Sequence, residues 1–209
     1  MTTGLNKTQP QTGSKFLRRY GLLVLFVIIL AGTAFRFVGL FHGISYHPDE
    51  RGNIMRVMDM GFHDLNPHFF AYGSLPFYLL LFLKIVLGSI SAELATYAAL
   101  FKIGRFVSAL TGVMTLISVY ALGNRLSNRS VGLMASLFLA LTVLHIQYSH
   151  FYAVDIMMSF MVTVIFIKLL DIYERGTTSD YIFTGLLFGL GLAVKISLLP
   201  LLLPVVLAH

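Results

Sequence analysis

Asp49 and Glu50 are adjacent carboxylates, preceded by His47 and Pro48, followed by Arg51, and flanked by long apolar stretches. Paired acids beside basic groups suit general-base chemistry, in which one carboxylate takes a proton while neighbouring charges hold it in place. Pro48 stiffens the chain immediately before the pair. Arg36 stands near the outer end of the first apolar stretch, where a guanidinium suits a phosphate or can orient a carboxylate. Asp155 is a third acid at the end of a later apolar stretch, while Arg105 opens one such stretch and Lys195 interrupts another. The functional reading of the two bases is contact with an anionic headgroup or a pyrophosphate-like group; the plain reading is snorkelling. Histidines 42, 47, 63, 68, 145 and 150 supply metal-ligand types, but they form no HxxxH or HExxH spacing, so the zinc signal is weak.

The elements that must position these residues are membrane helices. Of 209 residues, 57% are hydrophobic and 11% charged, whereas soluble domains carry about 25% charged residues. Residues 22–34 and 131–144 hold no charge at all, and lipid is the natural solvent for such runs. The formal net charge of +6 is scattered rather than gathered on one face, which argues against nucleic acid as a partner. Lys15, Arg18 and Arg19 precede the first apolar stretch, and Arg125 and Arg129 separate two later ones. The positive-inside rule reads both places as cytoplasmic. With no cysteine, disulfides and thiol catalysis are excluded.

The expected architecture is an all-α polytopic transmembrane bundle of about five or six spans. Residues 1–19 read as a disordered cytoplasmic tail, since the polar flank is long and no small-residue cleavage site follows the apolar run. Residues 20–209 form the membrane module, and residues 41–104 within it form a first extracytoplasmic loop. Residues 75–87 are short, begin near Pro76 and contain Lys84, so they are read as lying along the interface. Spans are expected over residues 20–40, 105–122, 131–148 and 156–170. Residues 181–207 form either one kinked helix or two short ones turning at Lys195, with Gly185, Gly189 and Gly191 as a small-residue packing face. The chain stops at Ala208-His209 directly after apolar sequence, which reads as a fragment or as one part of an assembly.

The order of these features resembles the N-terminal part of the GT-C superfamily of polyprenyl-phosphate-sugar-dependent glycosyltransferases. It is most similar to the branch containing protein O-mannosyltransferases and lipid A aminoarabinose transferases. The resemblance rests on Asp49-Glu50 within Tyr46-His47-Pro48-Asp49-Glu50-Arg51, and on the element Tyr72-Gly73-Ser74-Leu75-Pro76. It continues through Arg105-Phe106-Val107-Ser108-Ala109-Leu110-Thr111-Gly112, then Ser149-His150-Phe151-Tyr152-Ala153-Val154-Asp155, and the Gly-rich run 185–195 ending at Lys195. By resemblance, Asp49 is the catalytic base and Glu50 supports it, and residues 75–87 form a juxtamembrane helix. Asp155, with His150 beside it, would bind the acceptor or a divalent metal ion, although no cofactor is fixed. Arg105 and Lys195, with Arg36, would hold the lipid phosphate.

The implied partners are a polyprenyl-phosphate-sugar donor, the lipid bilayer, and a protein, lipid or glycan acceptor, with other membrane subunits as a further class. The implied location is a bacterial or archaeal plasma membrane with the active site outside. Members of the family run to several hundred residues, so this chain matches an N-terminal module whose activity alone is open. Two rival functions belong to other classes. A non-catalytic subunit would use the same helices as packing surface. A transporter or channel would need polar residues deep in several spans, whereas here they gather at one outer face.

Overall fold

A computed structural model describes residues 12–42 and 47–208, with side chains described from Arg19 onward. Among the described residues the chain is helical and has no β-strand. The helices are α1 (Thr12–Phe37), α2 (Pro48–Asp59), α3 (Leu75–Ile90), α4 (Tyr97–Leu126), α5 (Arg129–Leu141), α6 (Val143–Ser149), α7 (Val154–Glu174), α8 (Thr178–Val194) and α9 (Leu202–Leu207). Short 3-10 turns cover Ala92–Ala95 and Ile196–Leu201.

The all-α expectation is met among the described residues, and five or six spans are not confirmed. Among the described residues three helices (α1, α4 and α7) are long and apolar enough to cross a membrane, or four if α5 and α6 count as one broken span. The 17 residues of α8 extend only about 26 Å at 1.5 Å per residue, short of a hydrocarbon core of roughly 30 Å.

Several boundaries differ from the sequence reading, each for a local reason. Helix α1 starts at Thr12, so residues 12–19 of the expected tail are helical; Lys, Leu and Arg in this stretch are good helix formers. The first eleven residues of that tail lie outside the described residues. Helix α4 begins at Tyr97, because the Thr96 hydroxyl accepts the Ala99 N–H at 3.3 Å and caps it. Arg105 therefore lies in the third turn of its helix and does not open it.

The stretch expected as one span over 131–148 breaks at Thr142, with α5 and α6 bent by 63°. The chain also breaks at Lys195, which is extended, so the two-helix alternative for the last apolar stretch holds. The small-residue face is used only in part. A Cβ on Gly191 would press on Leu198 and Ile165, whereas none of the described residues lies within 4 Å of the same position at Gly185 or Gly189.

Helix α4 is the central post, packed against α1, α5 and α7. Its contact with α5 is close because glycines face each other. A Cβ on Gly132 would fall 2.6 Å from the Tyr120 carbonyl oxygen, and one on Gly123 would fall 2.9 Å from the Gly132 Cα. Arg125 joins α4 to α7 through Asp171 and Glu174, both at 2.6 Å, and Arg175 bonds Asp180 of α8 at 2.8 Å. Arg129 lies against Gly21, which puts the start of α1 at this same basic end.

At the opposite end, Ile54, Val57, Phe77, Leu80, Leu100 and Tyr152 share one buried cluster that fastens α2 and α3 onto α4. Lys84, the charge that made residues 75–87 awkward, is explained here. Its ammonium donates to the Val57, Met58 and Met60 carbonyls at 2.9, 2.9 and 3.1 Å, closing the C-terminus of α2. Lys84→Met is expected to cost about 1.5–3 kcal/mol, the usual worth of hydrogen bonds to a charged group. Protection of α2 amides in hydrogen exchange should fall with it, and unchanged protection would remove Lys84 from this role.

Candidate functional site

The site is built at the end of the bundle where α1 finishes and α4 and α7 begin. Helix α2 brings the acids there. His47 is its N-cap, accepting the Asp49 N–H at Nδ1 (3.3 Å), and Pro48 occupies the first turn, where a missing N–H costs nothing. The expected turn at His47–Glu50 is thus the first turn of a helix, and both carboxylates sit where the helix dipole favours negative charge.

That geometry separates the two acids. Glu50 is fully buried and accepts from two of the three Arg105 guanidinium nitrogens, Nε at Oε1 and Nη2 at Oε2, each at 2.8 Å. Its Oε1 also accepts the Tyr152 N–H at 3.1 Å. Arg105 spends a further nitrogen on the Leu40 carbonyl at 3.2 Å. The two-pronged pair thus ties α2, α4, the end of α1 and the segment before α7 into one joint. Asp49, its neighbour on the same turn, is exposed.

Arg36 likewise differs from its expected place on a phosphate. It is fully buried, with Nη1 on the Gly32 carbonyl at 2.9 Å and Nη2 on the Leu139 carbonyl at 3.1 Å. Nη1 also reaches the Ala140 carbonyl at 3.4 Å. Leu139 and Ala140 lie in the last turn of α5, so the guanidinium adds donors to carbonyls at the bend, where Leu139 also accepts the Thr142 N–H at 3.3 Å. Nη2 lies 2.8 Å from His145 Nδ1. A guanidinium only donates, so Nδ1 accepts and the neutral ring carries its proton on Nε2. Gly112 makes room: a Cβ there would lie 3.1 Å from the Arg36 Cδ.

His150 and Asp155 do not form a ligand pair in this arrangement. The His150 nitrogens face the Ile146 and Val38 carbonyls at 2.9 and 3.2 Å, and Asp155 faces Lys195. Among the described residues no group of three or more acids and histidines is disposed to hold a metal ion. A cavity of about 450 Å³ opens beside Leu40, Arg105, Gln147, His150 and Phe151.

Asp155 and Lys195, expected on an acceptor or metal and on the lipid phosphate respectively, are paired with each other. The ammonium lies 2.9 Å from Asp155 Oδ1, and both side chains stay partly exposed. Lys195 reaches this end because α8 stops at Val194, whose carbonyl accepts the Gly73 N–H at 3.1 Å. A Cβ on Gly73 would lie 1.9 Å from the Ala193 carbonyl oxygen, so only glycine allows this approach. The contact sets Tyr72 next to the acids. Its hydroxyl donates to Asn53 Oδ1, one turn along α2 from Asp49. Burial first, then the negative charge of Asp49, raises the Tyr72 phenol above its ordinary value and keeps it a donor.

Asn53, Tyr152 and the structural part played by Tyr72 were missed in the sequence. Asn53 donates to the Tyr152 carbonyl at 3.3 Å, and the buried Tyr152 hydroxyl donates to the Pro76 carbonyl at 2.5 Å. Burial holds the Tyr152 phenol protonated, pushing it well above the usual tyrosine range. The signal for Asn53 was present. His47-Pro48 is a helix start, and a helix from Pro48 sets Asn53 one turn beyond Asp49.

These features define an integral membrane α-helical protein with an acid and a lysine–carboxylate pair gathered at one end of its bundle. Residues 89–208 match the family of dolichyl-phosphate-mannose-protein mannosyltransferases, and the chain belongs to that family. The family-level resemblance read from the motifs is borne out. Arg105, His150, Asp155 and Lys195 lie inside the matched residues, while α2 and Tyr72 precede them. No curated protein matches the chain.

Proposed function

We propose that this chain is the N-terminal catalytic module of a membrane glycosyltransferase that takes a sugar from a polyprenyl-phosphate donor. The observation that carries this reading is the division of the acids. Glu50 is consumed by Arg105 and the Tyr152 amide, whereas Asp49 remains exposed on the same turn.

Asp49 acts as the base. An acceptor hydroxyl gives its proton to the Asp49 carboxylate as its oxygen attacks the anomeric carbon. The bond from that carbon to the phosphate oxygen breaks, and the carrier phosphate leaves with the electron pair. Lys195, with two ammonium protons beyond the one directed at Asp155, offers charge to that phosphate. Arg105 and Arg36 act at a distance, by holding α2 and the α5–α6 bend in place.

The site faces the extracytoplasmic side and the N-terminus the cytoplasm. The support is charge: Arg125, Arg129, Lys168 and Arg175 gather at the end opposite the site, together with the start of α1. The test is donor-dependent glycosyl transfer in proteoliposomes by the chain in its full protein context, compared with Asp49→Asn. Transfer unchanged by that substitution, in a variant that folds, would sink the assignment.

A second reading rests on the open face at Gly185 and Gly189, where no atom of the described residues lies within 4 Å of an added Cβ. Under it the chain is a packing component of a larger membrane complex, with that face set against another helix. A photo-crosslinker at Leu186 is then expected to capture one discrete protein partner; lipid adducts alone would count against it.

A further inference from the structure

A second cavity, about 490 Å³ in volume, opens among residues 65–78 and shares Tyr72 with the acid site. Phe70, Tyr72 and Tyr78 wall it, with Asn66 and Ser74 between them, and none of the described residues that line it is charged. Phe70 is 82% exposed and Tyr78 42% exposed, so aromatic surface is presented to whatever enters. Ligand sites of about 300–1,000 Å³ with mostly apolar walls and a few placed polar groups are ordinary for small molecules.

The walls are held before any ligand arrives. Asp64 accepts the Asn66 N–H at 2.8 Å and lies 2.9 Å from His68 Nε2, while Asn66 Oδ1 accepts the His68 N–H at 2.9 Å. Arg56 covers Phe69 at 3.9 Å, and Phe69 packs edge-on to Tyr72 with ring centroids 4.9 Å apart. Gly73 fastens the loop to α8 through the Val194 carbonyl. A braced cleft loses little freedom when it binds.

The chemistry of the walls selects the ligand. Among the described residues, no lining side chain brings a cation for a phosphate or a carboxylate for an amine. Rings with an apolar face and polar edges, beside an amide and hydroxyls, complement a molecule that is likewise apolar on one face and hydroxylated at its edge. A neutral pyranose has that character. Tyr72 lines this cleft and also lies within reach of the Asp49 charge, so a sugar lying on Phe70 and Tyr78 would sit beside the acid site.

We propose that the Phe70–Tyr72–Tyr78 cleft binds a neutral pyranose of the acceptor, making the acceptor a glycan rather than a bare peptide. This rests on the transferase reading above, but its test does not need transfer. Saturation-transfer difference NMR on the full chain in nanodiscs, which carry no sugar headgroup, would use mannotriose and a Ser/Thr-rich peptide as probes.

Mannotriose is expected to receive saturation from the protein and from Asp49→Asn alike. In Phe70→Ala and in Asn66→Ala, its apparent affinity should fall about fivefold to tenfold, as the loss of about 1–1.4 kcal/mol implies. Phe70 is an exposed loop residue, so its removal leaves the fold. Equal mannotriose signals in the protein and in Phe70→Ala would overturn the proposal, as would a peptide signal abolished by Phe70→Ala with none from the sugar. Loss of transfer with sugar binding intact would instead count against the transferase reading alone.

Discussion

Asp49→Asn is expected to lower glycosyl transfer by about 10²–10⁴-fold while leaving thermal unfolding unchanged. The magnitude is that of removing a positioned general base. The unchanged stability follows from exposure, since Asp49 is outside the buried joint that Glu50 forms. Its backbone N–H still reaches His47 in the variant, so the start of α2 survives. The effect should fall on kcat more than on KM, because a proton acceptor acts as the hydroxyl attacks and adds little to ground-state binding. Single-turnover rates with a polyprenyl-phosphate-sugar donor would measure it. A loss below about tenfold would place the base elsewhere.

Breaking the Glu50–Arg105 pair should do the opposite: it should unfold the site end first and lose activity only as a consequence. Arg105→Met leaves a fully buried carboxylate with the Tyr152 amide as its remaining protein donor among those described, and Glu50→Gln leaves a guanidinium facing an amide. Removing one partner of a buried ion pair costs about 3–5 kcal/mol. The double variant Glu50→Leu/Arg105→Met is expected to recover much of that loss, because no charge is then buried alone. Reversible unfolding in mixed micelles would give the four values of the cycle. Single variants costing less than about 1 kcal/mol would show the joint to be solvated. Contrasting Asp49→Asn with Glu50→Gln thus separates two adjacent carboxylates by readout, rate in one case and stability in the other.

The helical character of the chain was legible because apolar runs without charge admit few alternatives in lipid. The break at Lys195 was legible too, as one of two options, since Pro200 and Pro204 follow it closely. What misled was the treatment of bases as free. Arg36, Arg105 and Lys84 were all set against apolar sequence with no visible partner, so a phosphate or the interface was the natural destination. Each instead meets protein: the carbonyls of a broken helix, a carboxylate 55 positions earlier, and the end of α2. Those partners are distant in sequence, and no local pattern encodes them.

By itself, the sequence determined that this is a membrane protein, and it set Asp49, Glu50 and Asp155 beyond apolar stretches and Lys195 within the last of them. Composition and order suffice for that, since solvent preference and span parity are properties of the chain read one segment at a time. Only the tertiary structure decided which acid is free. Asp49 and Glu50 are alike in charge and adjacent in sequence, and helix α2 turns one toward Arg105 and leaves the other exposed. The distinction comes from about 100° of rotation per helical residue and from a guanidinium delivered by another helix.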